Sequence, residues 1–368
     1  MSDTAILKFG GSTFRSHSSY DDLAAGLERR LDTEGRRLAV VVSAMAGETE
    51  QLRGRLHEVN VHPEDATSAG MLATADLISA HLLATALHRR GRSATVLAGH
   101  QVGLTTNSAF LWARVIETDP GPLSRSLQEY EVVVVPGGQA VDAQRRPTWL
   151  GKNSSDLSAI AVARAAGGGS CEIHSDVDGI YTSDPHLVRG ARMLPHVSFN
   201  MAALMSLYGA KVLHRRAVQL ALRHNIEIVC RYNRAPFAQG TTISREGNQL
   251  TAIVFNQRSV VLGYDSDDAA DIAHGLFHAA GIDTVRLTEK PWVAVVGGFV
   301  DLEEVQRRQN LKPGTYVGVP VAEIRGSKVV THIAGDGEDA LHLAQRLHDT
   351  IDLPSAGPAA PQPQLAGV

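Results

Sequence analysis

Lysine, paired glycines and hydroxyl side chains recur in this 368-residue chain where they could hold a phosphate group. The first instance is Lys8-Phe9-Gly10-Gly11-Ser12-Thr13, beside an apolar run. Glycines at a strand-to-helix turn let backbone N–H groups come close to an anion. A lysine next to them adds a point charge. The GxxxxGK[ST] spacing of a Walker A loop is absent, and a Gly-Gly pair alone also reads as a plain tight turn. Ser43-Ala44-Met45-Ala46-Gly47-Glu48-Thr49 is a second small, polar segment after an apolar run, and Pro136-Gly137-Gly138 a third. Ligands of doubly wound sheets gather outside the carboxyl ends of strands, so the turns at Gly10 and Ser43 are expected to face one crevice.

Three further segments carry charge. Gly151-Lys152-Asn153-Ser154-Ser155-Asp156 opens a helical pattern. Small hydrogen-bonding residues there either cap the helix or hold an anionic group with help from Lys152. Ser175-Asp176-Val177-Asp178-Gly179-Ile180-Tyr181-Thr182-Ser183-Asp184-Pro185 sets acids, an aromatic and Asp-Pro in a loop after a strand. It lacks the terminal glutamate and spacing of a calcium loop. Tyr208-Gly209-Ala210-Lys211-Val212-Leu213-His214 puts a lysine at a glycine-broken helix, either within reach of a phosphate or on a solvated surface.

These segments need a scaffold. Continuous apolar strands are expected over 5–9, 37–43, 93–97, 131–136, 170–175 and 227–231, with helices over 20–31, 66–89, 155–166 and, largely, 202–224. Continuous apolar strands between helices argue for a mostly parallel sheet covered on both faces. Around 240–249 the pattern turns polar and turn-rich, which places a domain boundary there. Beyond it the order is strand 259–264, helix 269–280, strand 283–287, strand 292–297, helix 302–309, strand 315–324, strand 328–333 and helix 338–351. A βαββαβ order in so short a span is the ferredoxin-like plan. Residues 353–368 are rich in Pro, Ala and Gly and read as a disordered tail.

Composition is ordinarily globular, with 43% hydrophobic and 20% charged residues. A net charge of −4 points away from nucleic-acid partners. No apolar run reaches the roughly 20 residues of a membrane span, and no basic-then-apolar leader is seen, so a cytoplasmic location is expected. Cys171 and Cys230 lie far apart, without CxxC or a His partner, and read as reduced core cysteines. The sixteen histidines are scattered, so no dedicated metal site is expected.

In their order, KFGGST, VVVSAMAG, LATADLISA, GLTTNSAF, VVPGG, LGKNSSD, SDVDGIYTSDP, GAKVLH and GTTI resemble the aspartate kinases, from Lys8 to Ile243. The resemblance implies an α/β amino-acid kinase fold over 1–249 and a small ferredoxin-like ACT-type domain over 250–352, in a homodimer. It implies ATP and Mg2+ as cofactors and phosphorylation of the side-chain carboxylate of L-aspartate or a close analogue. Lys8, Gly10, Gly11, Ser12, Ser175, Asp176, Tyr181, Asp184 and Lys211 match nucleotide positions, and Lys8, Asp156 and Lys211 the phosphoryl-transfer positions. Ser43, Thr49, Asp76, Lys152, Asn153, Ser154 and Asp156 match the acceptor pocket. A carboxylate nucleophile is already ionised at pH 7, so no general base is needed.

The departures cluster on the acceptor side. Lys152 stands for an arginine, Asn153-Ser154 for Gly-Gly, Asp76 for a glutamate and Asn107 for an aspartate. His186 replaces an arginine, Met201 and Leu204 replace acids, and Arg215 replaces a proline. Other readings are a kinase for another small or modified amino acid, a non-catalytic pseudokinase sensing an amino acid or nucleotide, and a kinase acting on a hydroxyl or phosphate.

Overall fold

The structure, a computed structural model, describes residues 4–210, 213–247, 250–297 and 302–351. Lys211, one of the expected site residues, lies outside the described residues, as does the 353–368 segment.

The apolar runs form the middle of an eight-stranded sheet. Its strands are β1 (Thr4–Phe9), β2 (Arg37–Val42), β3 (Ala94–Val96), β4 (Val132–Pro136), β5 (Ser170–Ser175), β6 (His196–Ser198), β7 (Glu227–Tyr232) and β8 (Gln239–Ser244). They run in the order β6-β8-β7-β5-β1-β2-β4-β3. Every neighbouring pair is parallel except β7–β8. Buried β-branched residues such as Val40, Val41, Val133 and Val134 suit such a doubly covered strand.

Helices α1 (Ser18–Glu34), α2 (Glu48–Val59), α3 (Asp65–Arg89), α4 (Gly121–Glu129), α5 (Ser155–Ala165), α6 (Phe199–Leu207) and α7 (Arg215–His224) surround the sheet. Side chains of a strand alternate between faces. Ala5, Leu7 and Phe9 enter a core with Leu23 and Leu27 of α1 and Leu83 and Leu87 of α3. Ile6 enters the opposite core with Ile160 of α5 and Val218 of α7. The region expected to be largely helical over 202–224 is two helices, because α6 stops at Leu207 and α7 starts at Arg215. Gly209, at φ +107, stands in the break. The membrane expectation also needs a correction. By length and mean hydropathy (1.4) α3 could span a bilayer, but half of that stretch is buried, where it packs on the sheet.

The second sheet is antiparallel: β9 (Thr251–Phe255), β10 (Val260–Gly263), β11 (Thr284–Leu287), β12 (Trp292–Val295), β13 (Thr315–Arg325) and β14 (Lys328–Ala334), with α8 (Asp267–Ala279), α9 (Leu302–Arg308) and α10 (Gly337–Asp349). Its order is β9-β13-β10-β12-β11, with β14 on β13. The sub-order β13-β10-β12-β11, with α8 and α9 between strands in sequence, is the ferredoxin-like arrangement. Strand β13 is shared. Its first residues, through Gly318, pair with β10, and its later ones pair with β9 and β14. A Cβ on Gly318 would stand 2.1 Å from the Ala334 carbonyl oxygen, so only glycine fits where the strand changes partners.

Candidate active site

The carboxyl ends of β1, β2, β4 and β5 open on a cavity of about 560 Å³. The alternation that sends Leu7 and Phe9 to the α1 face sends Lys8 to the α5 face. There its Nζ meets Asp156 Oδ1 at 2.7 Å, with both side chains close to fully buried. Asp156 sits in the first turn of α5, where the helix dipole favours a carboxylate. Its Oδ2 accepts from the His214 backbone N–H at 3.0 Å. One carboxylate thus ties β1, α5 and the segment ahead of α7.

The turn after β1 is tight. A Cβ on Gly10 would come within 3.0 Å of Lys8 Nζ, and one on Gly11 within 3.2 Å of the Ala44 oxygen. Ser12 Oγ and Thr13 Oγ1 each accept from Asn233 Nδ2 at 3.2 Å, which anchors this turn to the segment after β7. Beyond β4, a Cβ on Gly137 would stand 2.5 Å from Ser155 Cβ. The absent side chain therefore lets α5 start against the sheet. Ser43 Oγ lies 2.7 Å from Ser155 Oγ across the cavity floor.

The cavity lining also includes the acids Glu50, Asp76 and Asp283. Asp76 of α3 is buried and accepts from the Ala44 N–H. Burial raises its pKa to about 7, outweighing the Ala44 hydrogen bond and the Lys8 charge. Lys152 Nζ donates to Glu50 Oε1 at 2.6 Å, and that bond is the main reason the Glu50 carboxyl is held below its ordinary pKa. Trp112 and Trp149 also line the cavity, with Thr49, Asn153 and Ser154. The second sheet adds Asn256, Gly281, Ile282, Asp283 and Val296. Asp283 Oδ1 accepts from Arg215 Nη1 at 2.8 Å.

The cavity therefore brings together Lys8, Gly10, Gly11, Ser12, Ser43, Thr49, Asp76, Lys152, Asn153, Ser154, Asp156 and Ser175. It does not include Asp176, Tyr181 or Asp184 in its lining. Asp176 is exposed and accepts from Ser175 Oγ at 3.1 Å. The Tyr181 hydroxyl donates to Asp178 Oδ1 at 2.9 Å. Asp184 Oδ1 accepts from the His186 N–H at 3.0 Å. Glu50, Trp112, Trp149 and the 281–283 turn escaped the sequence reading, whereas Ser155 stood within the 151–156 segment already singled out. Two of only three tryptophans in the chain was an available signal; for Gly281 there was none, because a fold-level contact brings it in. Among the described residues no group of three or more His, Cys, Asp or Glu is placed to hold a metal ion. Cys171 and Cys230 are free and buried, and burial pushes both thiols up, Cys230 to about 12.

A strand-end cavity with a glycine turn and a buried lysine–carboxylate pair is suited to holding an anionic group. Residues 3–232 match the amino acid kinase family, and the chain belongs to that family. Among its relatives, the aspartokinase of Pseudomonas aeruginosa is 35% identical over 223 residues, covering 61% of this chain and 54% of its own length. The aspartokinase of Bacillus sp. strain MGA3 is 32% identical over 263 residues, 72% of this chain and 62% of its own. The chain thus spans little more than half of the first of these relatives. In structure it is similar to E. coli aspartokinase III, solved in complex with aspartate and ADP (TM-score 0.69, 21% identity, 94% of this chain and 99% of that one). It is also similar to the aspartate kinase of Synechocystis (TM-score 0.58, 26% identity, 88% and 60%).

Proposed function

We propose that this chain transfers the γ-phosphoryl group of ATP to the side-chain carboxylate of L-aspartate or a close analogue, giving an acyl phosphate. The observation that carries this reading is the Lys8–Asp156 pair at the cavity floor, set between the Gly10–Gly11 turn and the Ser43–Ser155 contact. Phosphoryl transfer needs positioning and charge neutralisation more than covalent chemistry. Lys8 supplies a charge for the transferring group, and Asp156 fixes where that charge sits. The Gly10–Gly11 turn has room for phosphate oxygens because no Cβ occupies it. Ser175, with Asp176 on its outer side, would bound the nucleotide end, and Lys211 is assigned there through the resemblance alone. Mg2+ keeps most of its water and takes one or two carboxylates plus phosphate oxygens. It would arrive with the nucleotide and neutralise charge on the phosphates.

At the other end, Asp76 would face the acceptor ammonium, and Lys152 with its Glu50 partner would face the α-carboxylate. Residues 1–249 would form the kinase unit and 250–352 an ACT-like unit, in a cytoplasmic homodimer. ADP release from ATP and Mg2+ should require an added acceptor, with L-aspartate giving the largest rate in a panel of small amino acids. No acceptor-dependent ADP across that panel would refute the proposal.

A further inference from the structure

We infer that Arg216 is a positioning residue that holds the acceptor end of the cavity in shape. It lies in the first turn of α7, next to Arg215 and with no acidic residue in that turn. Cations there oppose the helix dipole, so helix formation alone does not account for it. The side chain is also half-buried, and burial, followed by the nearby Arg114, lowers its pKa from the ordinary value. A tertiary contact must compensate.

The guanidinium supplies one. Nη1 donates to the Leu150 carbonyl at 3.2 Å and Nη2 to the Ala113 carbonyl at 2.6 Å. These carbonyls immediately precede Gly151-Lys152 and immediately follow Trp112, which line the cavity. The two segments already touch each other: Ala113 N–H donates to the Trp149 carbonyl at 3.0 Å. A planar fork holds two separated donors in fixed geometry toward the two carbonyls, whereas an ammonium offers its donors from a single nitrogen. Arg216 itself does not line the cavity, so it acts through Trp112 and Lys152 and not on a ligand.

The inference rests on the acceptor assignment proposed above, and its test has one arm independent of catalysis. In the full chain, Arg216→Met keeps length and removes the donors. It should raise the acceptor KM at least tenfold and leave the nucleotide KM within about twofold. Arg216→Lys should fall between wild type and Arg216→Met. With Trp292 replaced by Phe, the remaining Trp112 and Trp149 both report on this end of the cavity. Arg216→Met should then increase acrylamide quenching of their fluorescence. An unchanged acceptor KM with unchanged quenching would overturn the inference. So would an equal rise in both KM values, which marks general loosening. Should Arg216→Met fail to fold, the same comparisons are read from Arg216→Lys. If wild type transfers no phosphoryl group, the functional reading fails by itself, and the quenching arm alone decides whether Arg216 shapes this end.

Discussion

Lys8 and Asp156 form a buried pair at which the proposed function and stability can be separated by experiment. Removing one partner of a buried ion pair strands the other and costs about 3–5 kcal/mol. Lys8→Met is therefore expected to lower the Tm and also to lower kcat by about 100-fold to 1,000-fold, the usual loss for one electrostatic donor. The double variant Lys8→Met/Asp156→Asn should regain most of the Tm in a thermal melt, since no charge is left stranded, while activity stays lost. Recovery of activity with stability would show that the pair is structural.

Asp76 makes a pH-dependent prediction. Its folded pKa, about 7, lies above the unfolded 3.8, so the fold favours the protonated form. The folded state holds the extra proton between about pH 4 and 7, and stability falls as pH rises through that window. Asp76→Asn removes the titration, so its Tm should fall less than that of wild type from about pH 5 to 8. Acceptor binding should run the other way. The ionised carboxylate attracts an ammonium, so the acceptor KM should drop as pH rises through about 7, and Asp76→Asn should lose that trend. Residue types and order made Lys8, the glycines and Asp156 legible in the sequence. The partners were not: Glu50 sits 102 positions from Lys152, and only folding reveals that pairing.

Elements were easiest to read where burial is complete. Strands such as β2 and β4 are covered on both faces and appear as unbroken apolar runs, so their expected bounds match within a residue or two. The short strands Leu104–Thr106 and Pro147–Trp149 were missed, because three residues are too few to show a period. Helix α2 was missed as well. It buries only Leu52, so its sequence lacks an apolar stripe. Strand β9 fell just beyond the polar stretch read as a boundary, so the expected single βαββαβ unit hid a shared strand, β13, that serves two sets of neighbours. At this scale Gly137 is decisive. Gly137→Ala drives a methyl into Ser155 and should cost about 1–3 kcal/mol by overpacking. It should also displace the start of α5, which carries Asp156, and lower kcat. A variant with a lowered Tm but wild-type kcat would show that the position of α5 does not matter to catalysis.

In the whole molecule, the two sheets meet around the cavity and around the loop after β5. His348 of α10 is 3% exposed, and its Nε2 lies 2.8 Å from Thr182 Oγ1. Arg189 N–H donates to Gln345 Oε1 at 2.8 Å beside it. His348→Ala is expected to cost about 1–3 kcal/mol through a buried hydroxyl left short of a partner. Arg215→Met breaks a partly exposed ion pair and should cost no more than about 1 kcal/mol. Burial depresses the His348 pKa, so its contribution is present above the unfolded value near 6.5 and is lost as pH falls below it. Chemical denaturation of the two variants at neutral pH, and of wild type down to about pH 5, checks the order and the sign. Nothing in the sequence marked these contacts, because each joins residues more than sixty positions apart.

The reaction proposed for the Lys8–Asp156 site is acyl phosphate formation. Incubating the protein with ATP, Mg2+, L-aspartate and hydroxylamine tests it most directly, because hydroxylamine converts an acyl phosphate to a stable hydroxamate. The expected result is hydroxamate formed in step with ADP by wild type and nearly absent with Lys8→Met. An acid-stable phosphate ester, or ADP released without hydroxamate from any small amino acid, would contradict it.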